Sequence, residues 1–222
     1  RGMEMPASPI RKLAPLADAA KQRGIHVFHL NIGQPDIQTP DVALQALKTC
    51  NEKVIEYTHS AGNISYRKKL AKYYQNIGIN IDENNIMITT GGSEAITIAF
   101  MSTLNPGDEI IIPEPFYANY TAFALMCGVK VKTVTSSIEN NFALPPISEI
   151  EKVITPRTKG IVIVNPNNPT GYLYSKEELE QLAVIVKKHD LYLYADEVYR
   201  EFIYTGSPYI SACHLEGIED NV

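Results

Sequence analysis

Basic residues are in deficit. Lysine and arginine number 20 against 25 aspartates and glutamates, a net charge of −5. That balance offers no basic surface to nucleic acid or to an anionic membrane. No apolar run approaches the roughly 20 residues of a membrane span. The N-terminal residues lack the apolar core of a secretory signal. Cysteine is sparse, and Cys50, Cys127 and Cys213 lie far apart and are odd in number. This argues against a disulfide framework and a Cys-x-x-Cys metal site, and suits a reducing cytoplasm. Internal repeats and low-complexity segments are missing too. What is present is a chain of 222 residues, 45% hydrophobic and 20% charged. That is the profile of a soluble globular protein long enough to bury a sizeable core.

Along the chain, Pro6-Ala7-Ser8-Pro9 opens an arm. Ile10, Leu13, Ala17 and Ala20 follow at helical spacing, with Gly24 as a stop. Val27–Ile32 reads as a short apolar strand. Thr39-Pro40 predicts an N-cap with proline at the first helical position of a helix running towards Cys50. A second helix is expected over Ser65–Ile77, with Leu70, Tyr73 and Tyr74 on one face. A strand–helix rhythm then sets in. Candidate strands are Ile86–Thr90, Glu109–Pro113, Lys130–Val134, Gly160–Val164 and Leu191–Ala195. Candidate helices cover Ser93–Met101, Tyr117–Met126 and Lys176–His189, the last with Ser175 and Glu178 in capping-box spacing. Such alternation predicts an α/β fold, a mostly parallel sheet with flanking helices. Ligands of such sheets sit at the carboxyl ends of the strands.

Four strings fall at those ends. Thr89-Thr90-Gly91-Gly92-Ser93-Glu94-Ala95 lies between a strand and a helix. Free N–H groups of Gly92 and Ser93 at a helix N-terminus suit a phosphate. The string has neither the Gly-Lys-Ser/Thr of a Walker loop nor the Gly-x-Gly-x-x-Gly of a dinucleotide site, and it reads equally as a glycine turn capped by Ser93. Asn165-Pro166-Asn167-Asn168-Pro169-Thr170-Gly171 follows a strand directly. Its prolines bar helix and sheet, so the amide of Asn168 is held at a fixed point. In Ala195-Asp196-Glu197-Val198-Tyr199, a carboxylate at the end of an apolar strand is partly desolvated and seeks a cationic or N–H partner. Asp196 as an N-cap and Tyr199 as a core aromatic are the plainer alternatives. Glu114-Pro115-Phe116-Tyr117-Ala118-Asn119-Tyr120 offers an aromatic face beside the same edge, or ordinary core packing. The turns Asn31-Ile32-Gly33-Gln34-Pro35-Asp36 and Tyr57-Thr58-His59-Ser60-Ala61-Gly62 complete the set.

In their order and spacing these strings resemble the fold-type I pyridoxal-phosphate aminotransferases of classes I and II, the aspartate aminotransferase family. The resemblance covers nearly the whole chain, and Asn165–Gly171 is its most specific piece. It implies a pyridoxal 5'-phosphate cofactor and, as substrates, an amino acid and a 2-oxo acid. It assigns Asp196 to the pyridine nitrogen, Asn168 and Tyr199 to the phenolic oxygen, and Gly92 and Ser93 to the phosphate. Tyr117 matches the aromatic that stacks on the ring; many members carry tryptophan there, and this chain has none. Tyr57 matches a tyrosine that reaches the phosphate of a neighbouring subunit, which implies a homodimer. Gly33, with Asn168, matches a contact to the substrate carboxylate. Residues 1–38 correspond to an arm and the start of a small domain, and residues 39–222 to the large, cofactor-binding domain.

One element is missing. The family's Schiff-base lysine lies roughly thirty to forty residues beyond the aspartate, and no lysine stands between Asp196 and Val222. No catalytic residue is therefore assigned within the chain. The family's sheet also has more strands than the candidates above, the absent ones lying between Ile86–Thr90 and the rest. The expectation is a fragment of a longer enzyme, cut at both ends, in which Ile86–Thr90 lacks sheet neighbours. A lyase or synthase on the same scaffold, a regulatory pyridoxal-phosphate domain and a non-catalytic remnant are the competing readings.

Overall fold

The structure is a computed structural model that describes Met3, Met5 and residues 11–31 and 33–222. The expected opening of the arm, Pro6–Ile10, and the last residue of the expected strand Val27–Ile32 lie outside the described residues.

Two apolar runs organise the fold. Ile110-Ile111-Ile112 and Ile161-Val162-Ile163-Val164 are β-branched without interruption, the pattern of strands buried on both faces. They form the centre of a parallel sheet of four strands: β1 (Glu109–Glu114), β2 (Lys130–Thr135), β3 (Thr158–Val164) and β4 (Tyr192–Asp196). The order across the sheet is β2-β1-β3-β4.

Strand alternation divides the core in two. Ile110, Ile112, Val162 and Val164 face α4 (Gly92–Thr103) and α5 (Tyr120–Cys127), packing with Phe100, Tyr120 and Ala124. Ile111, Ile161, Ile163 and Leu193 face α6 (Ile147–Lys152) and α7 (Lys176–His189), packing with Ile150, Leu179, Leu182 and Ile185. Each such side chain contributes about 1.5–3 kcal/mol by leaving water. A Cβ on Gly160 of β3 would lie 2.5 Å from Cε2 of Tyr194 and 3.0 Å from the carbonyl oxygen of Tyr192. Only a residue without a side chain lets β4 close onto β3 there.

The amino end of the sheet is held by a charge cluster. Glu109, 2% exposed, accepts from the hydroxyl of Thr155 at 2.7 Å and from Arg157 at 3.1 Å, with Lys132 Nζ at 3.9 Å. At the open edge, the N–H of Leu193 in β4 donates to the carbonyl of Asn221 at 2.7 Å, and the Asn221 amide donates to the Leu191 carbonyl at 3.0 Å.

The helices of the first half are α1 (Ala14–Gln22), α2 (Asp41–Lys48) and α3 (Ile64–Asn76). α1 and α2 bury no residue. α3 buries Arg67 and Ala71 rather than the Leu70, Tyr73 and Tyr74 face. Arg67 donates through Nη1 to the carbonyl of Glu83 at 2.7 Å, while its buried Nε has no hydrogen-bond partner among the described residues. Among the described residues no helix is long and apolar enough to cross a membrane.

Several expected boundaries shift. Ile86–Thr90 is not a strand: it pairs with none of the four, and the N–H of Ile88 goes instead to the Ala61 carbonyl at 3.0 Å. Val27–Asn31, the described part of the other expected strand, is also unpaired. α2 starts one residue late, with Pro40 itself in the cap position. α4 starts at Gly92 because Gly91 caps it at φ 78°, which removes the cap role from Ser93. α5 starts at Tyr120, since Tyr117-Ala118-Asn119 stays in the turn that leaves β1. α7 has the expected limits, and its capping box is formed: Ser175 accepts from the Glu178 N–H, and Glu178 from the Ser175 N–H at 2.7 Å.

Candidate functional site

A parallel sheet brings all its carboxyl ends to one edge, so the loops leaving β1, β3 and β4 emerge side by side. The N-terminus of α4 joins them. Between them lies a cleft of about 200 Å³ lined by Gly92, Ser93, Ile96, Tyr117, Tyr120, Phe123, Asn168, Asp196, Val198 and Tyr199. A larger groove of about 700 Å³ runs beside α7, with Val184, Lys187 and His214 in its wall. It contains none of the residues singled out from the sequence, so chemistry rather than size identifies the cleft.

Asp196 ends β4 and is held on three sides. Its carbonyl accepts from the N–H of Asn165 at 2.9 Å, which ties the loop after β3 to the end of β4. Its carboxylate accepts from the Val198 N–H at 3.2 Å and from the Tyr120 hydroxyl at 2.5 Å. Tyr120 is buried, and burial, followed by the neighbouring Asp196 charge, raises its hydroxyl far above the ordinary tyrosine value. Tyr120 therefore stays a neutral donor to a fixed carboxylate.

Tyr117 stands beside it. The two rings meet edge to face at 5.5 Å between centroids, and the Tyr117 hydroxyl accepts from the Asn119 amide at 2.6 Å. This forms an aromatic wall against which a planar ring can lie.

The loop after β3 uses its three asparagines differently. Asn165 is buried: its amide donates to the Ile210 carbonyl at 3.3 Å, and its oxygen accepts from the Tyr174 N–H at 3.1 Å. The oxygen of Asn167 accepts from both the N–H and the hydroxyl of Thr170. Asn168 makes no side-chain hydrogen bond among the described residues and faces the cleft. Two asparagines build the loop, and the third keeps its amide toward the cleft.

At the far wall, the first turn of α4 presents N–H groups that have no intrahelical acceptor. Gly92 and Ser93 carry two of them into the cleft, and Ser93 adds a hydroxyl. A helix of this length favours an anion at that end.

Six of the predicted residues thus meet: Gly92, Ser93, Tyr117, Asn168, Asp196 and Tyr199. Gly33 and Tyr57 do not. Gly33 lies in an exposed loop with nothing within 4 Å of where a Cβ would stand, and the Tyr57 side chain is fully exposed. Tyr120 belongs to the same aromatic string, and the resemblance implies no role for it. Its signal was the i, i+3 spacing from Tyr117, which puts two aromatics on one face of any helical turn. Among the described residues no cluster of histidine, cysteine and acid is arranged to hold a metal ion. The cleft combines an anion-binding helix end, an aromatic wall, a fixed carboxylate and an amide and a phenol without side-chain hydrogen-bond partners among the described residues.

Comparison with known proteins bears on the family and the fold. The sequence model of the family described as aminotransferase class I and II matches residues 25–222. The chain is 37% identical over 218 residues to a probable N-acetyl-LL-diaminopimelate aminotransferase of Bacillus subtilis, covering 97% of this chain and 54% of that protein. It is 34% identical to aromatic-amino-acid aminotransferase 2 of Thermococcus litoralis, covering 95% and 54%. Among solved structures, the aspartate aminotransferase of Thermotoga maritima superposes with a TM-score of 0.88 at 32% identity, over 96% of this chain and 57% of that one. The chain spans about half the length of the curated relatives it matches. With the parallel sheet, its flanking helices and the family match over nearly all of its length, the chain belongs to the class I and II aminotransferases.

Proposed function

We propose that the protein carrying this chain transfers an amino group between an L-amino acid and a 2-oxo acid, with pyridoxal 5'-phosphate resident in the cleft. The observation that carries this is the meeting of Gly92, Ser93, Tyr117, Asn168, Asp196 and Tyr199, from four separate segments, around one space. The donor set described above fits the group at its phosphate, its ring nitrogen and its phenolic oxygen.

When bound, pyridoxal phosphate supplies an electron sink for the carbanion formed as the substrate Cα loses its proton. The residues of the chain set the conditions. Asp196 accepts from the ring nitrogen and, as an anion, favours the protonated ring. Tyr120 and the Val198 N–H hold that carboxylate in place. Gly92 and Ser93 bind the phosphate at the end of α4. Tyr117 covers one face of the ring and excludes water from it. Asn168 and Tyr199 donate to the phenolic oxygen, and Asn168, with Gly33, reaches the substrate carboxylate.

Tyr57 is assigned to the phosphate of a second subunit, and its full exposure is compatible with a partner across an interface. The working assembly is therefore a homodimer, placed in the cytoplasm. Residues 1–38 serve as arm and start of the small domain, and residues 39–222 as the large domain.

Among the described residues no lysine lines the cleft. By itself the chain should hold pyridoxal phosphate reversibly, with no link that borohydride fixes. The test is titration of the chain with pyridoxal phosphate, followed by tyrosine fluorescence and visible absorbance. Asp196→Ala should weaken binding about tenfold or more. Equal binding by the two chains would remove the cleft as the site.

A further inference from the structure

The proposed cofactor site makes no use of Glu197, yet Ser211–Ala212 and Arg200 converge on it, and α3 reaches it through Arg200. Successive side chains leave an extended strand on opposite faces, so Asp196 facing the cleft sends Glu197 away from it. The Glu197 side chain is 7% exposed. It accepts from the Ser211 hydroxyl, 2.9 Å from both carboxylate oxygens, and from the Ala212 N–H at 2.8 Å. Arg200, itself 14% exposed, donates to Oε2 at 2.9 Å. The guanidinium lies over the ring of Tyr74 in α3, 4.8 Å from its centroid. These donors occupy both oxygens, so the carboxylate is an anchor and not a ligand group.

Apart from the bonds that hold Asp196, the anchored segment has a further tie to α3, where the Tyr73 hydroxyl donates to the Glu201 carboxylate. β4 ends at Asp196. Beyond it, the turn is closed by the bonds from the Arg200 N–H to the Glu197 carbonyl at 3.1 Å and from the Phe202 N–H to the Tyr199 carbonyl at 2.8 Å. Asp196, Val198 and Tyr199 all stand in the cleft wall from this short stretch. We propose that Glu197 is a positioning residue: by locking the turn to Ser211–Ala212 and, through Arg200, to Tyr74, it sets where the Asp196 carboxylate and the Tyr199 hydroxyl stand. The consequence for the cofactor rests on the function proposed above. The anchoring itself does not.

Two buried carboxylates allow a controlled test. Glu197 sits at the carboxyl end of the sheet, whereas Glu109 sits at the amino end with its own hydroxyl and cationic partners. Amide hydrogen exchange is measured on the ligand-free full chain and on its Glu197→Gln, Ser211→Ala and Glu109→Gln variants. Glu197→Gln should speed exchange at Val198, Tyr199 and Arg200 by about tenfold or more, with Ile110–Ile112 unchanged. Ser211→Ala should act in the same direction and less, and it carries the test if Glu197→Gln does not fold. Glu109→Gln should leave Val198–Arg200 as they were. Pyridoxal phosphate is then titrated against each variant, with the circular dichroism it acquires on binding as a measure of ring orientation. Affinity should fall about fivefold or more, and the induced signal shrink, in Glu197→Gln but not in Glu109→Gln. Unchanged exchange at Val198–Arg200 in the folded Glu197 or Ser211 variant, or an equal response to Glu109→Gln, would overturn the proposal. Failure of the parent chain to bind pyridoxal phosphate would instead count against the cofactor reading, and the exchange pattern would still decide the anchoring.

Discussion

The hydroxyl of Tyr120 donates to Oδ2 of Asp196 at 2.5 Å, joining the first residue of α5 to the last residue of β4. Elements from two parts of the chain thereby meet at one carboxylate. Tyr120→Phe keeps the ring that packs on Phe116, Tyr117 and Phe123 and removes only the donor. A hydrogen bond to a charged group is worth about 1.5–3 kcal/mol, and the variant should lose stability in that range. Denaturant unfolding measures it. Pyridoxal phosphate binding should weaken too, but less than in Asp196→Ala.

Asn165 and Asn168 stand three residues apart and should respond oppositely. Asn165→Ala leaves the Ile210 carbonyl and the Tyr174 N–H without their partners. Each buried group so orphaned costs about 1–3 kcal/mol, so the melting temperature should drop while the chain that remains folded still binds pyridoxal phosphate. Asn168→Ala breaks no bond among the described residues. It should melt as the parent does and bind pyridoxal phosphate several-fold more weakly.

Acid should attack the far end of the sheet. The Thr155 hydroxyl first, and then Arg157 and Lys132, hold the Glu109 carboxyl below its ordinary value. A depressed value in the folded state stabilises above the unfolded value, near 4.5, and that contribution is lost as pH falls through the folded one. Unfolding free energy measured from about pH 6 down to about pH 3 should therefore fall less steeply in Glu109→Gln than in the parent, from a lower starting value.

Alkali should act through the tyrosines. Of the thirteen, Tyr172 and Tyr194 are each pushed up to about 12, chiefly by burial. Burial raises Tyr120, Tyr174 and Tyr209 further still. Raised values mean a stabilising contribution fully present below the unfolded value of 10.0 and lost as pH climbs through the folded ones. Stability should fall above about pH 10. Tyrosinate absorbance should rise in two stages, the second coinciding with loss of the helical circular dichroism signal.

The parts of the fold that could be read in advance were those whose pattern has one solution. The runs Ile110–Ile112 and Ile161–Val164 had to be buried strands, and Ser175 with Glu178 could only start a helix. Ile86–Thr90 shows where pattern stops: its residues suit a strand, but a strand exists only beside a partner, and none of the four strands lies next to it. The α5 boundary moved because apolar spacing does not reveal that Tyr117 and Asn119 bond to each other within a turn. The six residues that the resemblance singled out meet in one cleft because each follows a strand or opens a helix at the sheet edge. Tyr120 needed the fold, since its partner lies 76 positions away. Among the described residues, Gly33 and Tyr57 sit on segments with no buried neighbour, and their assignments rest on the resemblance.

The bond from the Asn165 N–H to the Asp196 carbonyl has a consequence for how this sequence can vary. It sets two loops in register, so adding or deleting one residue in either would slide Asn168 past Asp196 by a full peptide unit. The exposed stretch around Glu139–Asn141 has no such tie to the cleft. In a library of single-codon insertions and deletions, length changes should be tolerated there, and should be lost throughout Asn165–Gly171 and Asp196–Arg200.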